Sequence, residues 1–237
     1  MAYNYHKFSG DLYDLADFRG PAPGVKAPDF DLTRPDGSPA RLLDFDGEFL
    51  VLEMGSLTCP LYQGHRADMT ALMRKYPNVS FAVLYVREAH PGTKLQSHAS
   101  AEDKHRNARV LADKDGEGRR ILVDDFDGRA HRAYGAFPNS VFIINRNGCV
   151  VWASDWNNPQ AAAEALAALT AGRPATNQAV FKPVPPSVSF RILRRAGGHA
   201  LRDFLVGLPG LIWQNLVRRN VRVRSETRPA VAPDANC

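Results

Sequence analysis

The sequence predicts an α/β fold, a central mixed sheet with flanking helices, opened by an N-terminal β-hairpin and followed by a basic helical C-terminal extension. Three observations carry that expectation. Two short apolar runs, 49–54 and 79–86, bracket a helical pattern from Cys59 to about Lys75, and strand, helix, strand at this length is a parallel crossover unit. Two further apolar runs flank Asn147-Gly148, a dipeptide suited to tight hairpin turns, so the sheet must also hold antiparallel strands. The charge then shifts along the chain: residues 1–180 carry 20 Lys+Arg against 22 Asp+Glu, and residues 181–237 carry 10 against 3. The net charge of +5 therefore belongs to the tail and not to the body.

At 237 residues, 44% hydrophobic and 23% charged, the chain has material for one sizeable core with appendages, or at most two small domains. Residues 1–24 read as a loosely attached N-terminal arm, with Tyr13 and Phe18 in a helix-compatible stretch that ends in Gly20-Pro21-Ala22-Pro23-Gly24. The N-terminus shows no secretory signal pattern, and no apolar run reaches bilayer length, which together imply a cytoplasmic protein. Residues 27–33 alternate apolar and polar, Pro35-Asp36-Gly37-Ser38 is a turn, and 40–45 resumes the alternation, giving the opening hairpin.

The 49–54 run reads as a buried strand broken by Gly55 and Ser56. That puts Cys59 at a helix N-cap and Pro60 at the first helical position, where a missing N–H leaves no bond unmade. The free N–H groups and the positive helix end favour a thiolate, so Cys59 is expected to be acidic and nucleophilic near neutral pH. The competing reading is a small buried hydrophobe. The 79–86 run is continuous enough for a strand covered on both faces. Ser100 caps a helix to Leu111 with Asp103 at its third position; 121–124 is a short strand, and 128–134 a short helix closed by Gly135. The hairpin at 140–153 and an alanine-rich helix at 159–171 complete the core near Gly172.

The main domain thus spans 25–172. Residues 173–186 form a Pro-rich linker ending in Lys182-Pro-Val-Pro-Pro186, and 187–237 a basic amphipathic helical tail that Gly197-Gly198 and Pro209 divide into short helices. The reading preferred for the tail is docking on its own domain or on a second subunit, which would give a homodimer. Peripheral contact of 187–224 with an anionic membrane comes second, and nucleic acid last. Three cysteines, Cys59, Cys149 and Cys237, are too few and scattered for a disulfide framework, which fits a reducing compartment. Cys149 is expected to pack in the core at the far end of the sheet, about 16–20 Å from the Pro138 end, and Cys237 to lie in a disordered tail. The seven histidines are dispersed without ligand spacing, so neither a metal nor a bound cofactor is indicated.

The order of elements resembles the thioredoxin-like superfamily, including peroxiredoxins. In that fold Phe137-Pro138 stands where a cis-proline faces the active cysteine. Thioredoxins place a second cysteine three residues after the first; Tyr62 is there instead. Ser56 matches the hydroxyl that peroxiredoxins carry three residues before their cysteine, while Leu52 stands where they have proline. Four segments together resemble the iodothyronine deiodinase family across residues 48 to 155: Gly55-Ser-Leu-Thr-Cys-Pro60, Tyr85-Val-Arg-Glu-Ala-His-Pro91, His98 with Glu102-Asp103-Lys104, and Ala133-Tyr-Gly-Ala136. The resemblance implies that Cys59 occupies the position of a nucleophilic selenocysteine, that Glu88 and His90 contribute to substrate binding or proton delivery, and that His98 belongs to the same pattern. Proton delivery suits a histidine that titrates near neutral pH. Leu57 and Leu61-Tyr62 depart from the family, which also carries an N-terminal membrane anchor not seen here.

These readings converge on a thiol-dependent oxidoreductase. Cys59 would attack a soft electrophile (aryl halide, peroxide oxygen or disulfide sulfur) on a small-molecule substrate, with Ser56 and Thr58 as nearby hydrogen-bond donors. An external thiol reductant of the thioredoxin or glutathione type would restore it. The rival is a non-catalytic thioredoxin-fold interaction module that docks a partner or membrane through its basic tail.

Overall fold

In the computed structural model, which describes residues 3–13, 15 and 17–237, seven strands form one mixed sheet in the order β2-β1-β5-β4-β3-β6-β7. The centre is parallel: β3 (Phe49–Gly55), β4 (Ser80–Tyr85) and β5 (Arg120–Val123). Antiparallel β6 (Val141–Asn145) and β7 (Val150–Ser154) extend one edge, and the hairpin β1 (Asp31–Thr33) and β2 (Pro39–Arg41) joins the other through Thr33 opposite Val123. Side chains of β3 alternate between two cores, as the period of a strand requires. Phe49 and Val51 meet Ile143, Trp152 and Leu166, whereas Leu50, Leu52 and Met54 meet Leu84, Phe142 and Ile144. Both faces of β3 are covered, as its reading as a buried strand requires.

Helix α1 (Pro60–Lys75) follows β3 with Cys59 as N-cap and Pro60 in its first turn, as expected. Helix α2 (Ala101–Arg109) begins where the Ser100 hydroxyl accepts the Asp103 N–H at 3.3 Å, and it runs on through a π-helical turn, Val110–Lys114. Helix α3 (Arg129–Ala133) and helix α4 (Pro159–Thr170) complete the domain. The fold is thioredoxin-like. One expectation fails at the hairpin entrance: no peptide bond among the described residues is cis, so Phe137-Pro138 is trans. The chain turns there through Ala136 at φ +57°, and the Phe137 carbonyl accepts a hydrogen bond from His131 Nε2 at 2.9 Å.

The termini differ most from their sequence reading. The N-terminal arm is anchored, with Tyr3, Phe8, Tyr13 and Leu15 buried. The guanidinium of Arg87 lies 5.0, 4.9 and 5.0 Å from the ring centres of Tyr3, Tyr5 and Tyr13, an arrangement of cation–π contacts that no local period announces. Because His131 Nε2 donates to a carbonyl, its Nδ1 is the acceptor for the Tyr3 hydroxyl at 2.8 Å.

At the other end, α5 (Pro186–Ala196) and α6 (Ala200–Ile212) fold back onto the domain. Helix α6 continues through a π-helical segment, Trp213–Arg219, into α7 (Asn220–Ser225), so Pro209 does not divide it. Tertiary packing of α6 against the domain supplies what propensity lacks. The turn after α5 meets the loop after β4 backbone to backbone: Lys94 N–H donates to the Ala196 carbonyl at 2.8 Å, and a Cβ on Gly92 would lie 2.2 Å from the Gly197 oxygen. Only glycine fits there. Buried Arg219 pairs with Asp155, and Trp156 Nε1 donates to Asn215 Oδ1 at 2.9 Å.

The last residues are not loose either. Asn145 Nδ2 donates to the carbonyls of Pro233 and Ala235 at 2.9 and 2.8 Å, which carries Cys237 to Cys149. The two form a disulfide with Cα atoms 5.4 Å apart. Cys149 is therefore a bonded partner and not a free core thiol, and the argument from cysteine count to a reducing compartment falls with it.

Candidate active site around Cys59

Cys59 sits where β3 hands over to α1, beside the loop that leaves the C-terminal end of β4, the usual ligand-binding edge of a parallel sheet. It is the one free cysteine among the described residues, and it is 2% exposed. Burial pushes its thiol up to about 12, outweighing the backbone N–H groups of Tyr62 and Leu61 that favour the thiolate, and the carboxylates of Glu53 and Glu88 push the same way. The expected acidic thiol is thus corrected. The helix end is present as predicted, but the water that would let a charge form there has been excluded.

Glu88 organises the loop behind the cysteine. Its Oε2 accepts Thr58 N–H at 2.9 Å and Thr58 Oγ1 at 2.7 Å, and its Oε1 accepts the Tyr85 hydroxyl in a short bond and Asn107 Nδ2 at 3.4 Å. His98 Nε2 stands 3.5 Å from Oε1, close enough for attraction and at the outer limit of a hydrogen bond. Burial works against ionisation of Glu88, yet His98, Thr58 and Tyr85 outweigh it and hold the carboxyl below its usual range. Thr58 Oγ1 also accepts the His90 N–H at 3.0 Å, and Ser56 Oγ accepts the Ala89 N–H at 3.4 Å. The two hydroxyls that sequence reading placed beside the sulfur therefore tie the Cys59 loop to the Glu88-Ala89-His90 loop.

His90 is packed between rings, 4.2 Å from Phe8 and 5.4 Å from Phe204 by centroid, and its Nδ1 is buried without a hydrogen-bond partner. Burial alone lowers it to about 3, so it is a neutral imidazole and does not titrate near pH 7 as expected. Cys59, His90 and Pro138 share the wall of a cavity of about 280 Å³, closed on other sides by Phe8, Trp156, Phe204, Leu208 and Leu211. Glu88 and His98 lie behind this wall and not on it. The structure thus gathers all seven residues singled out from sequence, three of them facing the cavity.

Sequence reading missed Tyr85 and Asn107, the other donors to Glu88. A signal existed, since Lys104, Asn107 and Ala108 form one helical face that would otherwise have to face solvent, and all three are buried. It also missed a buried polar cluster beneath α1, where Glu53 Oε1 accepts Asn139 Nδ2 and Asn157 Nδ2 at 2.7 Å each while Oε2 pairs with Arg119. Glu53 stands in an apolar run, which is how a charge with distant partners looks from sequence. No group of three or more His, Cys, Asp or Glu side chains among the described residues is arranged to hold a metal ion.

Comparison with known proteins gives a consistent picture. Residues 2–155 match the family model described as iodothyronine deiodinase. Thyroxine 5-deiodinase of Rattus norvegicus is 29% identical over 161 residues, covering 62% of this chain and 51% of that protein. The enzyme of the same name from Homo sapiens is 28% identical over the same length and coverage. The chain spans about half the length of these relatives. Among solved structures, an uncharacterized conserved protein from Geobacillus kaustophilus superposes with a TM-score of 0.53 at 24% identity, covering 66% of this chain and 86% of that one. That likeness is one of fold.

Proposed function

Because the chain belongs to the iodothyronine deiodinase family, we propose that it is a thiol-dependent oxidoreductase that removes halogen from an apolar, ring-bearing small molecule. One observation carries the choice among soft electrophiles. The cavity onto which Cys59 opens is lined by aromatic and aliphatic side chains, with a neutral imidazole facing the same space. Such a wall suits a halogenated aromatic ring better than a hydrated peroxide or a polar disulfide peptide.

The residues divide the work as follows. A thiol held near 12 is protonated at rest, so its proton must leave as the sulfur attacks. His90, held near 3, is too weak a base to keep that proton, so it stays neutral and its unpartnered Nδ1 offers only a hydrogen bond in the same cavity. The sulfur attacks the halogen; the S–X bond forms as the S–H and C–X bonds break, the ring carbon takes the C–X electron pair, and the thiol proton completes the C–H bond. Sulfur is oxidised by two electrons and carbon reduced by two. One external thiol then displaces halide to give a mixed disulfide, and a second releases Cys59. The supply must be external, because Cys149 and Cys237 are bonded to each other. A reductant of the thioredoxin or glutathione type fits this exchange. Glu88 is a positioning residue, fixing Thr58 and, through it, the backbone of His90.

The test is halide release from iodo- and bromophenols with dithiothreitol as reductant. Release that depends on Cys59, lost in Cys59→Ser, is expected. Release that persists in Cys59→Ser, or turnover of hydrogen peroxide and small disulfides in its place, would sink the reading.

A further inference from the structure

The helix running from α6 through α7 is apolar on two sides. Phe204, Leu208 and Leu211 face inward and roof the Cys59 cavity. On the outside, Leu205, Val206, Ile212, Trp213, Val217 and Val221 are 55, 76, 47, 58, 39 and 62% exposed. Val206, Trp213, Val217 and Val221, spaced seven, four and four residues apart, fall on one stripe with Leu205 and Ile212 beside it, where a surface helix ordinarily shows charge. Arg202 and Arg224 stand at its two ends and Arg218 within its last turns, all exposed. With exposed Arg191 and Arg194 of α5, they make five arginines for which no carboxylate partner is found among the described residues, whereas Arg195, Arg219 and Arg222 of the same tail are paired. A further detail fixes the orientation: Ile212 and Leu216 line the cavity and are also 47 and 40% exposed, so the cavity mouth opens on the stripe.

We propose that this outer face lies on the surface of an anionic lipid bilayer, with the helix axis in the membrane plane and the mouth of the Cys59 cavity turned toward the acyl chains. The charge pattern selects that occupant. Apolar side chains bracketed by unpaired arginines match an interface of acyl chains beneath anionic headgroups. A second copy of the chain is the poorer fit, because a two-fold interface brings the same patch against itself and would set arginines against arginines. No helix among the described residues is long and apolar enough to cross a membrane, so the contact is one of lying on the surface. Apolar molecules dissolved in the bilayer would then reach the cavity without crossing water. The docking itself stands or falls independently of the chemistry at Cys59.

Flotation of the full-length protein with vesicles tests it. Binding is expected to phosphatidylcholine vesicles containing phosphatidylglycerol at about a third of the lipid, with little to phosphatidylcholine alone, and with loss in high salt because headgroup attraction is screened. Val206→Glu with Trp213→Glu should weaken binding at least tenfold, and each of Arg202→Ala, Arg218→Ala and Arg224→Ala about fivefold, with unchanged circular dichroism. These side chains are exposed and outside the cavity wall, so halide release in detergent-free buffer should persist. Failure to float with the anionic vesicles, binding indifferent to Val206→Glu/Trp213→Glu, or a stable dimer that these substitutions dissociate would each overturn the proposal.

Discussion

A thiol at a helix N-cap meets two opposed influences: N–H groups that favour the thiolate and, in this protein, a dry apolar cavity that favours the thiol. With Cys59 pushed up to about 12, alkylation by iodoacetamide at pH 7.5 should be about a thousandfold slower than in the denatured chain, as the loss of thiolate predicts, and should still be rising at pH 10. A plateau near pH 7 would refute the dry cavity. Glu88→Gln separates reactivity from catalysis. It removes a nearby negative charge, so the Cys59 pKa should fall and alkylation quicken, while lost control of Thr58 and His90 should cut turnover roughly tenfold or more. Parallel changes in both rates would mean that Glu88 acts on the sulfur alone. His90 carries its own signature, because the unfolded chain binds a proton below about pH 6.5 that the folded chain, with His90 near 3, refuses. Its contribution to stability is present above pH 6.5 and fades as pH falls, by about 2–3 kcal/mol at pH 4.5. His90→Phe, suited to a slot between Phe8 and Phe204, should flatten that part of the urea-midpoint profile relative to the parent. Equal slopes would show that His90 is already protonated in the fold.

What dries the site is contributed by two elements far away in sequence, the N-terminal arm and the α5–α7 tail, and the tail depends on the buried pair of Arg219 and Asp155. Asp155→Asn leaves a buried guanidinium short of its countercharge, at a cost of about 3 kcal/mol in a urea titration. A tail so loosened should also speed Cys59 alkylation; a stability loss with no change in alkylation would mean that the tail does not seal the cavity. The same division explains what could be read from sequence. The βαβ crossover, Cys59-Pro60 at the helix start, the Ser100 cap and the Asn147-Gly148 turn are all written in short-range chemistry, and all appear in the structure. The coming together of Cys59, Glu88 and His90 was legible through family resemblance and the sheet edge. Their charge states were not, since each depends on burial by residues outside the local pattern: Phe8 before them and Phe204 far after. The anchored arm escaped notice for a similar reason, as the rings of Tyr3, Tyr5 and Tyr13 find Arg87 more than 70 residues on.

At the scale of the whole chain, the Cys149–Cys237 disulfide closes a span of 88 residues that contains the entire tail. In the chain-entropy account, a loop of that length restricts the unfolded state by about 4–5 kcal/mol, more than any single contact the tail makes. The bond lies at the hairpin end of β6 and β7, a strand length or about 16 Å from the end that carries Pro138, so it fastens the tail without touching the cavity. Two consequences follow that can be measured together. Thiol titration in denaturant without reductant should find one free thiol per chain, Cys59, and three after reduction. Cys237→Ser should lower the urea-derived stability by about 2–4 kcal/mol while leaving the alkylation rate of Cys59 in the native state within a factor of about two, because α5 and α6 are held by their own contacts. Three free thiols before reduction would remove the clasp, and a large rise in Cys59 reactivity in Cys237→Ser would show that the clasp, and not the Arg219–Asp155 pair, keeps the cavity closed.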